Sequence, residues 1–139
     1  MVDQIFVNLP VKDLTKTMEF WKKLGFSFNP QFTDDKAACL IIGENIFAML
    51  LLEKYFEGFN PGKTIADTKK STEVLLALHL ESREKVDAMV KNAVTAGGAT
   101  YKDPDVHDGW MYAHGFEDLE GHRWEVFFMD ESKMPKNPS

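Results

Sequence analysis

The chain has 139 residues, of which 44% are hydrophobic and 27% charged, and its formal net charge is -6. That length suits a single domain with a sizeable core, and the acidic balance argues against a nucleic-acid partner. Because the chain shows no signal-peptide pattern, no apolar run long enough to span a bilayer and only one cysteine, Cys39, we expect a soluble cytoplasmic protein without disulfides or membrane contact.

The first half of the chain predicts a strand, a helix and three further strands. Residues Ile5–Leu14, IFVNLPVKDL, form a short β-like run with an aspartate near its end. Asp13 is a plausible helix N-cap, and apolar residues recur at helical spacing after it until Gly25. Strand-like runs then cover residues 26–33, 37–43 and 46–53, and the sequence Gly43-Glu44-Asn45 predicts a hairpin between the last two.

The second half repeats this order of elements. Residues Val74–Arg83, VLLALHLESR, match the first run, with Ser82 in the place of the capping aspartate, and a second helix ends near two glycines at 97 and 98. Strand-like runs follow at residues 99–102, 111–117 and 122–129, whereas DPDVHDG around His107 is turn-like.

Two registers are possible for the last hairpin. If Gly121 adopts the left-handed conformation in a three-residue loop, Gly115 pairs with Glu125 and His114 points to the opposite face. A plain four-residue loop instead places His114 beside Glu125. The glycine favours the first register.

The pattern therefore predicts an α+β fold of two βαβββ modules within one domain, residues 1–139. The modules cover residues 4–53 and 73–129, and a polar tail covers 130–139. The connector, residues 54–72, has no clear period and is long for a compact domain, which is typical of a lid or a flexible link. Its aromatic residues Tyr55, Phe56 and Phe59 could close over a pocket, and a hydrophobic plug or a dimer contact is an equal alternative.

The pair of modules resembles the vicinal oxygen chelate superfamily, which comprises glyoxalases, bleomycin-resistance proteins and extradiol dioxygenases. Two motifs also resemble segments of that superfamily, VKDL at Val11–Leu14 and FEDLEGHRWE at Phe116–Glu125. FVNLPVKDL, GFSFNPQFTD and STEVLLAL are similar to segments of small bacterial proteins predicted to be lactoylglutathione lyases. The resemblance implies a glyoxalase-like mixed sheet that is cupped around a cavity. It also implies a homodimer.

The resemblance further implies where metal ligands would lie. The first-strand ligand of each module is replaced by Phe6 and Leu75, neither of which can bind a metal. On the last strands, Glu125 is retained, and Glu53 is a loose match that could lie past the strand end. Because a catalytic metal site usually has at least three protein ligands, we expect no cofactor, and a divalent metal on Glu125 and Glu53 is the less favoured alternative.

Strand alternation predicts an apolar, partly aromatic pocket with a few polar groups. Its expected lining is Phe6, Asn8, Met49, Leu51, Leu75, Ala77, His79, Met111 and Phe127. Glu125 lies within an apolar strand and is the candidate catalytic residue, as a general base or acid. Alternatively, Glu125 is held in a structural network by Arg123 or another nearby cation.

Three functions are consistent with these features, and a small-molecule ligand is the expected partner in the first two. A glyoxalase- or dioxygenase-like protein with a degenerate metal site would act on or bind a small carbonyl-type or apolar molecule. A non-catalytic protein of the bleomycin-resistance type would sequester a drug, and the acidic net charge would attract a cationic one. In a third possibility, the cavity is only the packed core of a subunit or regulator.

Overall fold

A computed structural model describes residues 1–135, and the last four residues of the predicted tail lie outside this range. The elements in chain order are β1 (Ile5–Val11), α1 (Leu14–Lys23), β2 (Ser27–Asn29), a 3₁₀ turn (Pro30–Phe32), β3 (Ala37–Gly43), β4 (Ile46–Leu52), α2 (Glu53–Phe59), β5 (Leu76–His79), α3 (Arg83–Thr95), β6 (Asp105–His107), β7 (Met111–Glu117), β8 (Arg123–Met129) and a 3₁₀ turn (Glu131–Lys133). Within the described range, no helix has the length and apolar character needed to cross a membrane.

The chain divides into two compact units, one covering Met1–Ser71 and the other starting at Thr72. Each unit holds one four-stranded mixed sheet. The strand order is β1-β4-β3-β2 in the first unit and β5-β8-β7-β6 in the second, and the only parallel pairs among these strands are β1 with β4 and β5 with β8. The matching topologies confirm the predicted pair of βαβββ modules and the α+β class.

The helices α1 and α3 begin at the predicted capping residues. The side chains of Asp13 and Ser82 each accept a hydrogen bond from the backbone N–H three residues later, at 3.0 and 3.1 Å. Such a bond satisfies one of the donors that the first helical turn leaves unpaired. After the helices, Gly25 and Gly97 adopt φ values of 96° and 109°, a conformation that glycine tolerates and that turns the chain back toward its sheet.

The hairpin between β7 and β8 has the register that Gly121 predicts. This glycine has a φ of 83°, Gly115 pairs with Glu125, and His114 pairs with Val126. Since neighbouring strand residues alternate between faces, His114 lies on the face opposite Glu125. That face is the buried one, because Val126 is fully inaccessible to solvent.

The prediction of a strand at residues 99–102 was wrong. Only Ala99 makes an isolated bridge, and β6 is the strand that pairs with β7, so His107 lies in a strand rather than a turn. The Thr100 hydroxyl lies 3.0 Å from the Gly115 carbonyl and 3.1 Å from the Lys102 carbonyl. These side-chain contacts with the backbone compete with a regular ladder along the segment.

The connector, which shows no clear period in sequence, nevertheless contains a regular element. Its start forms the short helix α2, which packs against β1 and β4. Tyr55 and Phe59 are one helical turn apart, and their rings meet edge to face at 5.1 Å. A seven-residue helix is too short to show a clear period in sequence, so packing on the sheet is what stabilises it.

Candidate functional site

A cleft of roughly 330 Å³ lies in the first unit, and its floor comes from the sheet. Its lining is Asn8, Gln31, Phe32, Thr33, Asp34, Ala37, Met49, Leu51, Tyr55 and Phe59. Asn8 pairs with Met49, and Ala37 pairs with Leu51, so alternation places these four side chains on one sheet face. The Asn8 amide Nδ2 donates to the carbonyl of Phe6 at 3.2 Å, which holds the amide in place while its oxygen can still accept from a ligand.

Aromatic side chains form the rim of the cleft. Tyr55 and Phe59 come from α2, and Phe32 comes from the turn after β2. Phe59 is 68% exposed and Phe32 is 55% exposed. Exposed apolar side chains grouped in this way are a feature of ligand-binding grooves and protein interfaces. A second cleft of about 440 Å³ is lined by Asn8, Phe56, Phe59 and Asn60.

The cleft also holds a fixed negative charge. Asp34 Oδ1 accepts hydrogen bonds from the backbone N–H groups of Lys36 and Ala37, at 2.8 and 3.0 Å. The bond from Lys36 lowers the pKa of Asp34, which further favours the ionised form that an aspartate has at neutral pH. The Lys36 ammonium lies 5.3 Å from the Tyr55 ring centroid, which shows that the rim can hold a cation against an aromatic face.

Glu125, in the second unit, lies in a cluster of polar side chains. The Tyr101 hydroxyl donates to Oε2 at 2.8 Å, and the Lys102 ammonium donates to Oε1 at 2.6 Å. The Arg123 guanidinium lies 4.2 Å from the Tyr101 ring centroid, and its Nε donates to Glu117 Oε1 at 2.9 Å. The cation that binds Glu125 is therefore Lys102, whereas Arg123 pairs with Glu117.

A glycine leaves the space that this cluster fills. A Cβ atom at Gly115 would lie 2.5 Å from both Glu125 Oε2 and the Tyr101 hydroxyl oxygen. Burial, followed by the hydrogen bond to Glu125, raises the pKa of Tyr101 well above its ordinary value. The hydroxyl therefore stays protonated and remains a hydrogen-bond donor to the carboxylate.

The donor groups do not fit a metal site of the kind that the resemblance implies. Phe6 stacks on Phe47 with ring centroids 4.7 Å apart, and Leu75 lies just before β5. Glu53 is the first residue of α2, beyond the end of β4, and Glu125 already binds Lys102 and Tyr101 through its two oxygens. No group of three or more His, Cys, Asp or Glu side chains that could hold a metal ion occurs in residues 1–135.

The other pocket residues predicted in the second unit share a sheet face with Glu125. Ala77 pairs with Glu125 and His79 pairs with Phe127, while Met111 lies on the same face of β7. His79 Nε2 accepts a backbone N–H at 3.4 Å, and its ring lies 5.4 Å from that of Phe127. His79 is thus engaged at the end of its strand.

Sequence reasoning missed Asp34, Tyr101, Lys102 and Gly115. The first three lie outside regular strands, where alternation predicts no side-chain direction. Gly115 gave a usable signal, because a glycine within a strand often marks a close approach of another group. Its predicted pairing with Glu125 pointed to the carboxylate as one such group.

The family model described as bleomycin resistance protein-like N-terminal matches residues 4–43, within the first unit. The solved structure of hypothetical protein SA1046 from S. aureus is 32% identical to the chain. That similarity covers 92% of this chain and 95% of the other, with a TM-score of 0.77. No curated protein matches the chain in sequence.

More distant structures show the same fold. A glyoxalase/bleomycin resistance protein/dioxygenase family enzyme from Burkholderia phytofirmans PsJN is 19% identical, covers 92% of this chain and 99% of its own, and has a TM-score of 0.78. A lactoylglutathione lyase from Agrobacterium tumefaciens is 13% identical, with coverage of 89% and 91% and a TM-score of 0.66.

Proposed function

Because the chain belongs to the glyoxalase/bleomycin resistance/dioxygenase superfamily, we propose that it binds and sequesters a small, partly apolar molecule without a metal ion. The observation that supports this proposal most is the cleft of the first unit, with its floor on the sheet and its aromatic rim. Its volume of roughly 330 Å³ falls at the lower end of the range for small-molecule sites, about 300–1,000 Å³.

The charge of the cleft favours a ligand with a positively charged group. Asp34 supplies an ionised carboxylate, and Tyr55 supplies a ring that already lies near the Lys36 ammonium. A ligand cation can bind in the same manner once the flexible Lys36 side chain moves away from the ring, while its apolar part contacts Met49 and Phe59. The acidic chain, with a formal net charge of -6, attracts such a ligand from a distance.

A lyase or dioxygenase activity would depend on Glu125, the candidate general base. Its two oxygens accept charge-assisted or short hydrogen bonds from Lys102 and Tyr101. A substrate proton would have to approach the remaining lone pairs of these oxygens beside an ammonium and a hydroxyl that already donate to them. The arrangement therefore supports sequestration ahead of catalysis.

Phe59→Ala should weaken ligand binding about fivefold, because an aromatic contact contributes roughly 1 kcal/mol. The variant should keep the wild-type Tm without ligand, since Phe59 is 68% exposed. The probes are pairs of small aromatic compounds that differ only in a charged amine, screened by thermal shift. We expect the amine-bearing member of each pair to raise the Tm more than its neutral analogue.

Val94→Ala is the matched control, because it removes an exposed apolar side chain on α3 that does not line the cleft. It should leave the ligand-induced shift unchanged. If Phe59→Ala and Val94→Ala give the same shift as the wild type with every binding compound, the cleft is not the binding site.

We also propose that the protein is a cytoplasmic homodimer. Ile5 and Ile46 pair on neighbouring strands, about half of each is exposed, and β1 lies at the edge of its sheet. Such an edge suits a second copy. Light scattering after size exclusion should give about twice the chain mass of 15.9 kDa, whereas a single species at that chain mass would refute the dimer.

A further inference from the structure

The second unit contains a carboxylate at a position where the resemblance implies a metal ligand, but a lysine binds it. We propose that the Lys102 ammonium is the cation bound at Glu125, so that Glu125 acts as an ion-pair partner and not as a metal ligand. The Lys102 ammonium lies 2.6 Å from Glu125 Oε1. This proposal concerns the second unit, so it stands or falls separately from ligand binding in the cleft.

Both oxygens of Glu125 are engaged in directed hydrogen bonds. The Lys102 ammonium donates to Oε1, and the Tyr101 hydroxyl donates to Oε2 at 2.8 Å. The Glu125 side chain is 22% exposed and that of Lys102 is 32% exposed, so the pair is partly shielded from water. Shielding strengthens the pair and makes its replacement by an ion from solution less favourable.

The charges of the cluster already balance. Glu117 pairs with Arg123, at 2.9 Å, and Glu125 pairs with Lys102. A divalent cation added to this cluster would lie near two like charges, the Lys102 ammonium and the Arg123 guanidinium, with no unpaired carboxylate to offset the repulsion. The cluster therefore selects against a metal at Glu125.

Gly115 and Tyr101 hold the carboxylate in this arrangement. The absence of a side chain at Gly115 allows the Tyr101 hydroxyl and Glu125 to meet above β7, and Arg123 covers the tyrosine ring. Tyr101 is next to Lys102 in sequence, so the same short segment delivers both donors. The segment thus serves as a two-point clamp on Glu125.

Metal content tests the proposal directly. Untagged wild type and Glu125→Gln would each be incubated with nickel, zinc, manganese and ferrous ions, desalted and analysed by plasma mass spectrometry. We expect equal metal contents, far below one ion per chain. Near-stoichiometric metal in the wild type that Glu125→Gln removes would overturn the proposal.

A gain-of-binding variant tests the placement of Lys102. Ala77 pairs with Glu125 on β5, so the double variant Ala77→His/Lys102→His brings two imidazoles next to the carboxylate within one unit. We expect it to bind close to one zinc or nickel ion and to lose that ion when Glu125→Gln is added. A folded double variant with the metal content of the wild type would contradict the placement.

A double-mutant cycle on the free energy of unfolding tests the proposal even if the histidine variant does not fold. Lys102→Met and Glu125→Gln should each lower the free energy of unfolding, and together they should lower it by less than the sum of the two effects. That shortfall measures the Lys102–Glu125 coupling. Additive effects would show that the ammonium does not stabilise Glu125, and the proposal would fail.

Discussion

Gly115→Ala should destabilise the protein by roughly 2–3 kcal/mol, the upper part of the range for forcing an extra methyl group into a packed site. The new Cβ would lie 2.5 Å from Glu125 Oε2, 2.5 Å from the Tyr101 hydroxyl oxygen and 2.8 Å from its Cζ. Tyr101 or Glu125 must then move, which breaks the hydrogen bond between them. Urea unfolding, followed by tryptophan fluorescence and circular dichroism, measures the loss.

Gly58→Ala provides the matched control. A Cβ at Gly58 meets no atom within 4 Å, and alanine favours the helical backbone of α2 by up to about 1 kcal/mol. This variant should be as stable as the wild type or more so. Gly115→Ala should also cost less in a Tyr101→Ala background, which removes two of the three close contacts. A Gly115→Ala variant as stable as Gly58→Ala would contradict the described cluster.

Asp118→Ala should have the largest effect on stability, about 3–5 kcal/mol, because it removes the acceptor of three hydrogen bonds at a buried site. The Asp118 carboxylate accepts from the Trp124 indole N–H at 3.0 Å and from the backbone N–H groups of Glu120 and His122 at 2.9 and 3.1 Å. These bonds shape the turn that sets the register of β8 and therefore the position of Glu125. Urea unfolding again gives the measurement.

Asp118→Asn separates the indole contact from the backbone contacts. The amide oxygen can accept both backbone N–H groups, but the amide NH₂ is a donor that faces the Trp124 donor, so we expect a cost of about 1–3 kcal/mol. Trp124→Phe should then cost less in the Asp118→Asn background than in the wild type. Equal costs in the two backgrounds would show that the indole does not depend on this carboxylate.

The pH dependence of stability gives a further test of Asp118. Burial raises the pKa of this carboxyl group, against the opposing effects of the His122 charge and the Trp124 hydrogen bond. The folded state thus holds the proton more tightly than the unfolded state, whose pKa is near 4. The resulting stabilisation is complete below that value and is lost as the pH rises through the raised pKa.

Asp118→Asn cannot release this proton, so the difference in unfolding free energy between wild type and variant should shrink as the pH rises above about 4. Denaturant unfolding at several pH values checks the sign. A difference that stays constant or grows with pH would show that the raised pKa of Asp118 is wrong.

Local chemistry made much of the fold predictable from the sequence. Asp13 and Ser82 begin the helices because their side chains satisfy backbone donors, and Gly121 sets the hairpin register because its φ of 83° suits glycine. Alternation within strands also placed Asn8 and Met49 on one face, where both line the cleft. Each of these inferences depends on residues close together in sequence or on a regular strand.

The parts that could not be predicted depend on irregular backbone and on packing. Tyr101 and Lys102 contact Glu125 from a segment whose composition is typical of a strand. In the structure, the Thr100 hydroxyl bonds to backbone carbonyls and the segment does not form a regular strand. The helix α2 is only one or two turns long, so its aromatic residues gave no periodic signal. Asp34 is held by the backbone N–H groups of Lys36 and Ala37 in a loop whose conformation the sequence pattern did not indicate.

Calorimetric titration tests the central claim, metal-independent binding in the cleft of the first unit, most directly. The titrant is the amine-bearing aromatic compound with the largest thermal shift, and the protein is measured before and after treatment with EDTA. We predict one ligand per chain, the same Kd in both samples and a Kd about fivefold higher for Phe59→Ala. A Kd that rises on treatment with EDTA, or that Phe59→Ala leaves unchanged, would contradict the account.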